Sequence, residues 1–205
     1  QGPANRSKLS FVQYAVYSNT GWTGSTLKDW TNIASGINDN SYTTNWQVDF
    51  VSFQEGTNYV SVKTFDYAGN SATLTDAFYV KKDTQGPTIT DNQTGDDTWK
   101  STSGTTYNID FSDSKSLLNN VQYIIYSSTG LTGTTLKTWT DIAAGISSSD
   151  YTANWQIDFA SGTEGFNYIS VRGYDNLGNV STLTDVFYLK KDTGLPSGTA
   201  SASSY

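Results

Sequence analysis

The stretch EGTNYVSVKTFDYAGNSATLTDAFYVKKDT (residues 55–84) returns as EGFNYISVRGYDNLGNVSTLTDVFYLKKDT (residues 164–193), a constant 109 positions later. Within each copy, apolar residues alternate, as in Val60 with Val62 and Phe78 with Val80. Alternation of period two places them on one face of a strand. Between the two runs lies Asp66-x-x-Gly69-Asn70, repeated as Asp175-x-x-Gly178-Asn179. Gly and Asn tolerate positive φ, and an Asp side chain caps nearby N–H groups, so each copy reads as a hairpin. Working outward, the same offset holds without a gap from Val12–Thr84 to Val121–Thr193, with about 45 of 73 aligned pairs identical. A long fixed period marks a repeat array, and repeated modules supply length and valency more naturally than two adjacent active sites.

Composition narrows the chemistry. The 205 residues suit two domains of ordinary size. A net charge of −7 with 12 scattered Lys and Arg argues against nucleic-acid binding, which needs clustered cations. Cysteine and histidine are absent, which removes disulfides, thiolate chemistry, the usual structural zinc ligands and the commonest general base. No stretch of 18 apolar residues and no lipidation motif is found, so a soluble, mature or excised piece without membrane insertion is expected. Gln1-Gly2-Pro3 reads equally as a tag scar or as a copy of Gln85-Gly86-Pro87.

Strand patterns recur along the chain. Trp46, Val48 and Phe50 share a face, as do Tyr107, Ile109 and Phe111, and Val121, Tyr123 and Ile125. Short strands divided by Gly, Asn, Asp and Ser clusters predict an all-β fold of two tandem immunoglobulin-like β-sandwiches. Leu27–Ile37 and its copy Leu136–Ile146 are expected to form strand plus loop. Residues 85–193 carry a full set of predicted strands, including Asn154–Phe159. Residues 1–84 do not: three residues separate Pro3 from Ser7, where the second copy runs from Pro87 to Ser116. The counterpart of Tyr107–Phe111 is missing. Its loss is expected to expose apolar side chains worth roughly 1.5–3 kcal/mol each and to strand backbone groups on flanking strands, leaving Val12–Tyr17 exchange-labile. Donation of a strand by another chain would repair this. The Ser-rich tail, residues 194–205, is expected to dock on a neighbour as an edge strand.

The run from strand through D-x-x-G-N turn and final strand to a D-T-x-x-P junction resembles bacterial immunoglobulin-like (fibronectin III-like) repeats. The resemblance covers nearly all of residues 85–193 and most of 12–84. It implies extracellular, cell-surface tandem arrays that build the stalks of adhesins, surface layers or fibres, without catalysis. The missing front of the first repeat departs from that pattern.

Candidate sites follow from the same motifs. Asp66 with Asp83, and Asp175 with Asp192, read either as turn caps or as carboxylates offered to Ca2+ at repeat junctions; calcium wants six to eight oxygens. Six tryptophans, Trp22, Trp30, Trp46, Trp99, Trp139 and Trp155, keep a glycan-binding module as the alternative. Trp46 and Trp155 alternate with Val48 and Ile157 and read as core, and Trp22 is Leu131 in the second copy, which weakens a shared ligand platform. Glu55 and Glu164, the only glutamates, each precede a turn glycine and make poor hydrolase acids. The function expected is non-catalytic: a stalk, spacer or assembling subunit whose partners are neighbouring repeats or further copies of the same protein, joined by strand exchange.

Overall fold

A computed structural model describes residues 7–198. The chain divides between Thr84 and Gln85 into two units. Unit 1 is one antiparallel sheet of β1 (Leu9–Tyr17), β2 (Thr26–Asp39), β3 (Gly56–Asp66) and β4 (Ser71–Lys82), in the order β2-β1-β3-β4. Unit 2 repeats that sheet as β8 (Leu118–Ser128), β9 (Thr132–Ser148), β11 (Gly165–Asp175) and β12 (Val180–Lys191). It adds β6 (Trp99–Lys100), parallel to β12, at one edge. A second sheet of β5 (Thr88–Asp91), β7 (Ile109–Ser112) and β10 (Asp150–Tyr151) has β7 at its centre.

Alternation explains the core of unit 2. Val121, Tyr123 and Ile125 of β8, Ile169 and Val171 of β11 and Leu189 of β12 face Tyr107, Ile109, Phe111 and Trp155, all at most 6% exposed. Burying such side chains stabilises by roughly 1.5–3 kcal/mol each. The hairpin β11–β12 carries a bulge, with Ile169 opposite Phe187 but Val171 opposite Leu183. Asp185 takes the extra turn at φ 52°, and its N–H donates to Ser170 Oγ at 2.9 Å. Unit 1 repeats the device with Asp76 at φ 50° and Ser61 Oγ at 3.0 Å. The architecture is an all-β immunoglobulin-like sandwich, complete in unit 2. Among the described residues, unit 1 has one sheet.

Four expectations need correction. β2 and β9 run as continuous strands through Leu27–Ile37 and Leu136–Ile146, with repeated register shifts where strand plus loop was expected. Those bulges let a Gly-containing edge strand follow the twist of its neighbour. Asn154–Phe159 is not a ladder strand: only Trp155 bridges, to Tyr107, before a 3-10 turn at Phe159–Ser161. Residues 45–49 are likewise outside any strand. The third correction concerns Val12–Tyr17. β1 lies between β2 and β3 and pairs with both, so the gap falls on the second sheet and strips no partner from β1. Finally, Gly194–Gly198 form no edge strand, while residues 199–205 and Gln1-Gly2-Pro3 lie outside the described residues.

Candidate functional site

Tyr107 marks the point at which the two copies differ among the described residues. In unit 2 its N–H donates to Trp155 O at 2.8 Å, and Trp155 N–H returns a bond to Tyr107 O at 3.2 Å. Its ring stacks on Phe187 with centroids 3.9 Å apart and lies 6.0 Å from Trp155. Trp155 and Phe187 are themselves 6.0 Å apart. Their counterparts in unit 1, Trp46 and Phe78, are 5.9 Å apart. The two walls stand at the same spacing although, among the described residues, no ring lies against both. Tyr42, Thr43, Thr44, Asn45, Trp46 and Phe78 line a groove there of about 360 Å³.

The groove opens onto a wider apolar face. Phe78 is 40% and Leu74 63% exposed, where the matching Phe187 and Leu183 are half-buried against the unit 2 core. Val62 is half-buried and its copy Val171 wholly buried. The wall itself is fixed. Asp49 N–H donates to Tyr14 Oη at 3.1 Å and Lys28 Nζ bonds Asp49 Oδ2 at 2.8 Å. In unit 2 Tyr123 and Lys137 hold Asp158 in the same way, at 3.0 and 2.8 Å. Asp49 and Asp158 thus pin their segments to β1 with β2, and to β8 with β9, through side chains of those strands.

Those pins titrate. Hydrogen bonds from Lys137, then Ser161, hold the Asp158 carboxyl down at about 2, and Lys28 with Ser52 lowers Asp49 in the same sense. A depressed folded-state pKa adds stability above the ordinary carboxylate value of about 4. That stability is lost as pH falls from there towards 2. The Asp158 side chain is 37% exposed, so screening limits the effect to below about 1 kcal/mol. Urea unfolding between pH 5 and 2 should show unit 2 losing less stability in Asp158→Asn than in wild type; parallel curves would dismiss the pin.

The acidic candidates are placed differently. Asp66 Oδ1 and Oδ2 accept Asn70 N–H and Nδ2 at 2.8 and 2.9 Å. Asp175, wholly buried, accepts Leu177 N–H, Asn179 N–H, Asn179 Nδ2 and Ser116 Oγ at 2.6–2.9 Å. Burial raises the Asp175 carboxyl, but these donors outweigh it and the net direction is down. Both residues cap the D-x-x-G-N turn, in which Gly69 and Gly178 take φ of 86° and 88°. Register separates them from their proposed partners. Gly56 pairs with Lys82 and Phe65 with Ser71, so Asp66 and Asp83 stand at opposite ends of the β3–β4 hairpin. Asp175 and Asp192 are parted in the same way along β11–β12. Asp192 Oδ1 accepts Gly194 N–H at 3.1 Å.

Asp113 was missed by sequence reasoning. Its Oδ1 accepts the N–H groups of Lys115, Ser116 and Leu117, and its carboxylate lies within 4.8 Å of that of Asp175. The signal was available in Asp113-Ser-Lys-Ser, an Asx-type turn ahead of a strand. Glu55 and Glu164 clamp strand ends: each carboxylate takes the N–H and hydroxyl of Thr84 or Thr193. They act as latches.

No family model matches the chain, and no curated protein does. Among solved structures, the fibronectin(III)-like modules of Clostridium thermocellum CbhA align with it. The alignment covers 98% of this chain and 87% of that one, at 14% identity and a TM-score of 0.34. No helix among the described residues is long and apolar enough to cross a membrane.

Proposed function

We propose that the chain is a non-catalytic structural module of an extracellular bacterial surface or fibre protein, serving as stalk or assembling subunit. A strand from outside unit 1, belonging to a neighbouring repeat or subunit, closes its open face. One observation carries this reading: the Trp46–Phe78 wall is built to the spacing of Trp155–Phe187, yet nothing described stands between its sides as Tyr107 does in unit 2. Covering the exposed parts of Phe78, Leu74 and Val62 would supply a fraction of the roughly 1.5–3 kcal/mol that full burial of each side chain gives. The carboxylates fit the same role, because they cap turns and latch strand ends.

Light scattering and negative-stain electron microscopy of never-denatured material test the assembly. Regular oligomers or filaments that fall apart on Trp46→Ala are expected. A strict monomer at high concentration would reject self-assembly and leave a spacer excised from a longer array. The aromatic groove also supports a second reading, a glycan-binding adhesin module with a sugar stacked on Trp46 and Phe78. Saturable quenching of tryptophan fluorescence by an oligosaccharide, lost in Trp46→Ala, would favour it.

A further inference from the structure

We propose that the open face of unit 1 selects its closing strand by sequence. It accepts an extended segment with an aromatic ring where Tyr107 stands in unit 2, and a residue no bulkier than alanine four positions later. This rests on the strand-completion reading and specifies the partner.

The aromatic requirement comes from the socket. Trp46 and Phe78 hold the 5.9 Å separation at which Trp155 and Phe187 flank Tyr107. Among the described residues, the backbone N–H and C=O of Trp46 have no hydrogen-bond partner, whereas those of Trp155 exchange two bonds with Tyr107. An aromatic residue in that register fills the groove and pairs both groups as it covers them, whereas a filler that covered them unpaired would bury free backbone groups, which is costly.

The small residue comes from one exchange between the copies. In unit 2 Phe111 packs over Gly173: a Cβ built there would meet Phe111 Cδ1 at 3.1 Å and Pro87 Cβ at 3.4 Å. Gly173 therefore makes room for the ring. The matching residue of β3 is Thr64, on the same face as Val60 and Val62. Threonine adds a Cβ and two γ atoms into the space the ring would need. A strand identical to Tyr107–Ser112 would collide at its fifth residue. The closing strand is thus not β7 of a second copy, whose Phe111 is in any case 1% exposed in its own core. It is a different segment, with a side-chain taper matched to Thr64.

Synthetic peptides of residues 105–113 (TTYNIDFSD) test this on the full chain, followed by titration calorimetry and by amide shifts of ¹⁵N-labelled protein. The Phe111→Ala peptide is expected to bind at least tenfold more tightly than the unaltered peptide, with Trp46 N–H among the shifted signals. Adding Tyr107→Ala to that peptide should abolish binding. In a Thr64→Gly chain the unaltered peptide should bind as tightly as the Phe111→Ala form does to wild type. Because free peptides pay an entropy of docking, each is also fused ahead of Ser7 through a flexible linker, which raises its effective concentration to the millimolar range. There the readout is the melting of unit 1, raised by the alanine form and not by the phenylalanine form. Equal responses to both forms, or shifts confined to residues away from 42–46, 60–64 and 74–80, would overturn the proposal, as would no response in either format. Light scattering separates this from the assembly reading. Binding of the alanine peptide to a strict monomer upholds the socket and removes self-assembly. Assemblies that no peptide binds or dissolves uphold assembly and remove the socket.

Discussion

Trp155→Ala is expected to destabilise unit 2 by about 3–5 kcal/mol, the range for deleting a buried aromatic side chain. Trp46→Ala should cost unit 1 about half as much. The two residues occupy the same place in the repeat, follow the same Thr-x-Asn approach and face the same tyrosine, Tyr123 or Tyr14, at ring distances of 5.4 and 5.2 Å. They differ in cover. Trp155 is 6% exposed beneath Tyr107, whereas Trp46 is half-buried beside an open groove. A half-buried ring has less transfer free energy to lose, and its removal widens a groove already open to solvent. Differential scanning calorimetry, with the two units assigned by hydrogen exchange, measures both losses in one chain. Equal losses would mean that something already covers Trp46 in solution, and the open face would not exist.

The duplication makes this comparison available, and the duplication was the part of the structure most legible in the sequence. Gap-free recurrence of residues 12–84 gave the boundary at Thr84, and the alternation around Val60 and Ile169 gave the β3–β4 and β11–β12 hairpins. Tyr107–Phe111 has no copy among the described residues of unit 1. Its place was not legible. Tyr107–Phe111 alternates like a central strand, and alternation does not say which of two sheets a strand joins; β7 is central in the smaller sheet, so β1 keeps both neighbours. Trp155, Ile157 and Phe159 show why alternation also over-predicts strands. An extended chain pinned by Lys137 and Tyr123 has a two-residue period with a single bridge to Tyr107. The separation of Asp66 from Asp83 within one repeat has a simpler reason. A hairpin places its turn and its open end far apart, about 3.3 Å per residue along the strand, so Asp66 and Asp83 of one repeat do not meet. The Gly173-to-Thr64 exchange was visible all along, but its meaning needed Phe111 placed against it.

Asp175→Ala should cost unit 2 about 3 kcal/mol, and the loss should be the same in millimolar calcium as in EGTA. The carboxylate is wholly buried and takes four donors, two from the β11–β12 turn backbone, one from Asn179 Nδ2 and one from Ser116 Oγ. Removing it leaves those donors unpaired away from water, where each lost partner costs on the order of 1 kcal/mol or more. It also frees the connection from β7 to β8, because Ser116 sits in the loop that Asp113 caps. Asp175→Asn should fall between wild type and Asp175→Ala: an amide keeps one acceptor, but its NH2 would face the Asn179 donor now 2.6 Å from Oδ2. Asp66→Ala supplies the control. Asp66 holds the same turn through Asn70 but is only half-buried, and Ser7 Oγ accepts Ala68 N–H at 2.9 Å instead of reaching the carboxylate. Water replaces its lost partners, so its effect on unit 1 should be the smaller of the two. A wild-type melting point for unit 2 that rises with calcium, together with a loss in Asp175→Ala seen only when calcium is present, would show that the carboxylate serves a cation before it serves the turn.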